Sequence, residues 1–68
     1  MTPDELFNII ESLINNLKRH PKLLTFVELR QNVKKSKEAR EAFLELVKTK
    51  RIRVRPGMKD KLIEIIKK

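Results

Sequence analysis

The stretch Lys48-Thr49-Lys50-Arg51-Ile52-Arg53-Val54-Arg55-Pro56-Gly57-Met58-Lys59-Asp60-Lys61-Leu62-Ile63-Glu64-Ile65-Ile66 decides how this chain folds, because it reads as a strand followed by either a helix or a second strand. Its first part carries Lys48, Lys50, Arg51, Arg53 and Arg55 with no acid among them and ends in the turn pair Pro56-Gly57. Ile52 and Val54 alternate with Arg51, Arg53 and Arg55, the period of two that suits a half-buried strand with guanidinium groups on its other face. After the turn, Met58, Leu62, Ile65 and Ile66 recur at helical spacing, and Lys67 and Lys68 stand where a helix dipole favours cations. A competing reading pairs Leu62 to Ile66 with residues 51–55 as a β-hairpin. Leu62, Ile63, Ile65 and Ile66 do not alternate, so a C-terminal helix over 58–68 is the expectation.

Toward the N-terminus the punctuation marks three more helices. Thr2-Pro3-Asp4-Glu5 combines a capping Thr, a Pro at the first helical position and a Glu that completes a capping box. Leu6, Ile9, Ile10, Leu13 and Leu17 then recur at helical spacing, widened by Phe7 and Ile14, until His20-Pro21 ends an acidic amphipathic helix over 1–20. Its apolar arc is broader than one core contact needs. Leu6, Phe7, Ile10, Ile14 and Leu17 are therefore candidates for a dimer or partner interface, with the other helices simply wrapping around this one as an equal alternative. Thr25-Phe26-Val27-Glu28 repeats the capping box and opens a shorter helix that buries Phe26, Leu29 and Val33. Lys34-Lys35-Ser36 makes a turn in which Ser36 caps a third helix, with Ala39, Ala42, Phe43, Leu46 and Val47 on one face.

Composition bounds the function. Sixty-eight residues make one domain, without Cys and with a single His, which leaves too few ligands for disulfides or an ordinary zinc site. No basic n-region opens the chain and no apolar run approaches the roughly 18 residues of a membrane span. A soluble, cytoplasmic protein without cofactor is expected. The net charge is +8, and all 17 Lys and Arg lie from Lys18 onward, while residues 1–17 hold Asp4, Glu5 and Glu11. An excess of this size raises affinity for polyanions and speeds encounter with them. Repulsion among Lys48, Lys50, Arg51, Arg53 and Arg55 is relieved when an anion lies beside them, which points to nucleic-acid backbone.

Catalysis finds no support. His20 stands alone before a Pro at a helix end, Ser12 and Ser36 have no base near them in sequence, and Gly57 is the only glycine, so no phosphate-cradling loop can form. The three aromatics, Phe7, Phe26 and Phe43, occupy positions that read as buried, which disfavours stacking on single strands.

The segment Phe26-Val27-Glu28-Leu29-Arg30-Gln31-Asn32-Val33, followed by Ser36 at the turn, Ala39, Phe43 and Leu46 on the third helix, and Leu46-Val47-Lys48-Thr49-Lys50-Arg51-Ile52 beyond, resembles a winged helix-turn-helix. The resemblance covers about the last two thirds of the chain, with Lys50 standing where such proteins often have Gly. It implies a mostly α, winged-helix-like domain of three to four helices with one short basic strand or wing. Residues 25–55 would form the helix-turn-helix and strand. It also implies that Lys37, Arg40 and Glu41 approach base edges in the major groove, while Lys34, Lys35, Arg51, Arg53 and Arg55 hold phosphates; Lys48, Lys50 and Lys59 are further nucleic-acid-binding candidates from the basic stretch and beyond. Glu38, Glu41 and Glu45 leave the reading face close to neutral, and Lys37 with Glu41 at i, i+4 reads equally as a solvated ion pair.

The functional expectation is a small regulator or chromatin-associated factor on double-stranded DNA. Structured RNA is a further candidate, since an A-form helix can be held through its backbone by shape alone. A regulator of this size needs a homodimer, because one module contacts few bases. The alternative is an accessory subunit of a polymerase or ribosome that docks through the first helix.

Overall fold

The computed structural model describes residues 1–34 and 36–66. Helix α1 spans Pro3–Asn15, and the Thr2 hydroxyl accepts from the Glu5 amide at 3.2 Å, as its capping sequence requires. The helix closes earlier than His20-Pro21. Asn16 caps it, and the Leu17 amide turns back onto the Ile14 carbonyl at 3.1 Å. Asn15 and Asn16 are poor helix formers whose side chains compete for backbone groups, so the pattern outlasts the helix. The connection that follows contains a cis His20–Pro21 peptide bond and leads to β1, Leu24–Thr25.

Helix α2, Phe26–Asn32, has no fully buried residue and is held chiefly at its start. Three amides of that first turn find partners outside the helical ladder. Glu28 N–H donates to the Thr25 hydroxyl at 3.2 Å, Val27 N–H to Asp60 Oδ2 at 3.0 Å, and Phe26 N–H to the Lys61 carbonyl at 3.3 Å. Glu28 Oε1 completes the capping box by accepting from the Thr25 amide at 3.3 Å. It also accepts from Arg19, which donates in turn to the Leu23 carbonyl at 2.9 Å. That guanidinium, with the Thr25 bonds, holds the Glu28 carboxyl below its ordinary pKa against a smaller opposing effect of burial.

Helix α3, Lys37–Lys48, is capped by Ser36, whose hydroxyl accepts from Ala39 at 3.0 Å. It ends at Thr49 in a reversal where the Lys50 amide donates to the Val47 carbonyl and the Arg51 amide to the Leu46 carbonyl. This Schellman closure puts Lys50 in the left-handed region, at φ 61°. Strands β2, Ile52–Arg55, and β3, Leu62–Ile65, then form an antiparallel hairpin.

The expectation of a mostly α domain with a single strand is corrected here. The chain is a mixed α/β domain of three helices and a three-stranded antiparallel sheet of order β1-β3-β2. The fourth helix over 58–68 does not form. Residues 58–61 belong to the hairpin loop, Leu62–Ile65 is the central strand, and Lys67 and Lys68 lie outside the described residues. The register explains why alternation fails in sequence. Ile63 and Ile65 pair with Val54 and Ile52 on the core face, while Leu62 and Glu64 pair with Arg55 and Arg53 on the outer face. Leu62 nevertheless stays half-buried because the loop folds over it: its Cγ lies 3.2 Å from where a Cβ on Gly57 would stand.

The core lies between the helices and the inner sheet face. Leu6, Ile10 and Ile14 of α1 meet Leu24, Val33, Ala39, Ala42, Leu46, Ile52 and Ile63. Phe26 and Phe43 join α2 to α3 edge to face at 5.3 Å between ring centres. Each buried Leu or Ile contributes about 1.5–3 kcal/mol.

Candidate nucleic-acid interface

On α3 the three buried residues Ala39, Ala42 and Leu46 define the inner face. At 3.6 residues per turn, the line opposite runs Lys37, Glu41, Leu44, Lys48, all exposed. Arg40 and Val47 lie along one flank of that line, and Glu38 and Glu45 along the other. Charge on the helix is therefore partly segregated: Lys37, Arg40 and Lys48 surround the exposed Leu44 and Val47 with Glu41 among them, while Glu38 and Glu45 occupy the far flank. Glu38 on that flank lies 3.6 Å from the N-terminal ammonium of Met1.

The basic strand divides its arginines among different tasks. Arg51 turns toward α1, where its guanidinium carbon sits 4.4 Å from the centre of the Phe7 ring and Nη1 donates to Asp4 Oδ1 at 2.6 Å. It fastens the start of β2 to the first turn of α1 by an ion pair and a cation–π contact. Nothing in the sequence spacing signals this contact, since its partners are 47 residues apart. Arg55 reaches Glu64 Oε2 across the hairpin at 3.1 Å. Arg53, directly opposite Glu64 in the register, is exposed and reaches no carboxylate among the described residues.

The other candidates fall on the surface between these elements. Lys34 is exposed in the α2–α3 connection, Lys50 in the reversal after α3, and Lys59 in the β2–β3 loop, where Lys61 is exposed as well. Lys35 lies outside the described residues. Met58, Lys59 and Lys61, expected in a C-terminal helix, all stand in the connection between β2 and β3.

The interface expected on α1 is corrected. Leu6, Ile10 and Ile14 are core residues, Ile10 with no exposed surface at all, and Phe7 is half-covered beneath Arg51. Leu17, half-buried beyond the helix end, and Phe7 keep part of their surface open. The broad apolar arc exists because α3 and the sheet pack on α1 from different sides.

Glu11, Glu41 and Glu45 are exposed, and several of the other acids are engaged within the molecule. Asp4 pairs with Arg51, Glu28 with Arg19 and Thr25, Glu64 with Arg55, Glu38 with the N-terminus, and Asp60 with the α2 amide. Among the described residues only Arg19, Arg51 and Arg55 reach a side-chain carboxylate, so the remaining cations face outward without one. No helix among them is long and apolar enough to cross a membrane. No protein-family model, curated protein or solved structure matches this chain.

Proposed function

We propose that this chain is a winged-helix-type module that binds double-stranded DNA, acting as a regulator or chromatin-associated factor inside the cell. The observation that carries the reading is the asymmetric use of charge: Asp4, Glu28, Glu38, Asp60 and Glu64 are engaged by internal contacts, while among the described residues Lys37, Arg40, Lys48, Lys50 and Arg53 stay without carboxylate partners on three consecutive segments. Such cations gain most when a polyanion replaces solvent, through release of its condensed counterions. The element order supports the same reading, with a capped short helix, a tight turn, a third helix and a hairpin in the place of a wing. In this arrangement the N-terminal half of α3, with Lys37 and Arg40, approaches the major groove, and Arg53 and Lys50 hold phosphates. Docking onto a larger machine through α1 loses its support, because Leu6, Ile10 and Ile14 close the core instead of facing a partner.

The test is binding to a random-sequence duplex across a salt series, with mass followed by light scattering. Arg53→Ala is expected to lower the slope of log affinity against log salt by about 0.9, one phosphate contact's worth. Arg51→Ala is expected to leave the slope unchanged and to lower stability instead. Salt-independent binding, or slopes indifferent to Arg53, Lys37 and Arg40, would sink the reading. Equal competition by an A-form RNA duplex would reassign the ligand to structured RNA.

A further inference from the structure

Met58 is the most exposed residue of its kind in this protein: its side chain, at 104% relative exposure, touches nothing, although it is large and apolar. It stands in the β2–β3 loop among Pro56, Gly57, Lys59 and Lys61, all exposed, with only Asp60 half-buried. A lone exposed apolar side chain on a floppy tip would need no explanation, but this loop is fastened from beneath. Asp60 Oδ2 accepts from the Val27 amide at 3.0 Å and Oδ1 from the Lys61 amide at 2.8 Å, while the Lys61 carbonyl accepts from Phe26. Gly57 packs so closely that a Cβ there would lie 2.0 Å from the Asp60 carbonyl oxygen. The backbone under Met58 is thus held against the start of α2, and the side chain is presented at a fixed place.

Its surroundings say what it is presented to. Lys59 and Lys61 follow it in the same loop, both exposed, and both carboxylate oxygens of Asp60, the one acid in the loop, are engaged with backbone amides. An apolar tip in a cationic collar complements a surface that is anionic outside and apolar within. A nucleic-acid duplex, with base stacks behind its phosphates, has that character. An unbranched, polarisable thioether fits an irregular gap between stacked bases, and apolar side chains of this kind enter base steps from the minor groove.

We propose that Met58 is a wedge that enters the minor groove and unstacks a base step, so that the protein kinks the DNA it binds. This inference rests on the duplex-binding reading above. Lys59 and Lys61 hold the phosphates on either side of the opened step. Flexible pyrimidine–purine steps, TA and CA/TG, are the preferred sites because they cost least to unstack.

The test uses the full chain and short duplexes that carry a fluorescent 2-aminopurine beside a central TA step and a donor–acceptor dye pair at the ends. Wild type is expected to raise the 2-aminopurine signal and shorten the end-to-end distance, with a bend of about 20–90°. Met58→Ala removes no packing contact, so its circular dichroism stays native; it is expected to keep the salt slope and lose both signals. Lys59→Ala is expected to lower the salt slope and retain the bend. Binding by wild type without either signal, or signals unchanged in Met58→Ala, overturns the wedge and leaves duplex binding standing. Failure of wild type to bind duplex at all overturns both. Met58-dependent binding to vesicles of anionic phospholipid in preference to duplex would assign the tip to a membrane surface and overturn the wedge as well.

Discussion

Lys50 occupies a backbone conformation that an L-residue adopts at a cost of roughly 1–2 kcal/mol, because its Cβ crowds the following carbonyl. Its φ of 61° follows from the Schellman closure of α3, in which the position after the cap must turn left-handed to let Arg51 reach the Leu46 carbonyl. Glycine, the residue that the winged-helix resemblance implies at this position, adopts this conformation without that cost. Lys50→Gly is expected to raise stability by about 0.5–1 kcal/mol, the strain relieved less the extra freedom glycine gains in the unfolded chain. Urea denaturation measures it, and a loss of stability would show that the Lys50 side chain makes contacts that outweigh the strain. If Lys50 holds a phosphate, the same variant lowers the salt slope of duplex binding by about 0.9. A gain in stability joined to a loss in salt dependence would identify a residue kept for binding at the expense of the fold.

At the scale of elements, α2 shows how a short helix persists without a buried face of its own. The Thr25 hydroxyl, the Asp60 carboxylate and the Lys61 carbonyl satisfy the donors of its first turn, and Phe26 and Leu29 supply only partial burial. Asp60→Ala should cost about 0.5–2 kcal/mol, in the range of a lost cap, and should loosen the β2–β3 loop together with α2. Hydrogen exchange would report both segments at once; protection lost in the loop alone would contradict the link. Glu28 adds a pH signature. Its pKa is lowered in the folded state, first by Arg19 and then by Thr25, so its contribution to stability is complete above the ordinary value of 4.5 and disappears as the pH falls through the folded value. The stability difference between wild type and Glu28→Gln should therefore be largest at neutral pH and shrink on acidification below about 4.5; a constant difference would argue against the coupling. The caps Thr2, Thr25 and Ser36 were legible from sequence because caps are local, although the reciprocal capping box expected at Thr2-Glu5 closes only at Thr25-Glu28. The third strand was not, because Leu62 faces outward and is covered only by its own loop, and because Ile63 pairs with both neighbours, Leu24 and Val54.

The whole molecule resolves an ambiguity that local pattern left open, namely what the wide apolar arc of α1 is for. In a chain this short nearly every apolar side chain is needed for one core, and α1 supplies its centre by meeting the sheet and α3 at once. The basic stretch was legible as a strand with a cationic face. The internal use of Arg51 was not, because only the closed fold brings residue 51 onto Phe7 and Asp4. The two views of α1 make opposite predictions for one substitution. If Ile10 served a partner, Ile10→Ala would leave the isolated protein folded and abolish association. As a residue with no exposed surface at the centre of the core, it should instead cost about 2–5 kcal/mol. That is a large share of the roughly 3–10 kcal/mol a domain of this length commands at 0.05–0.15 kcal/mol per residue. Thermal unfolding should show a much lower midpoint for Ile10→Ala and little change for Leu44→Ala, whose side chain is exposed on α3. Duplex binding should respond in the reverse sense. Leu44 lies among Lys37, Arg40 and Lys48, where loss of its side chain removes apolar contact with base edges, whereas Ile10→Ala should weaken binding only to the extent that it unfolds the protein. A folded Ile10→Ala variant of native stability would return α1 to the role of a docking surface.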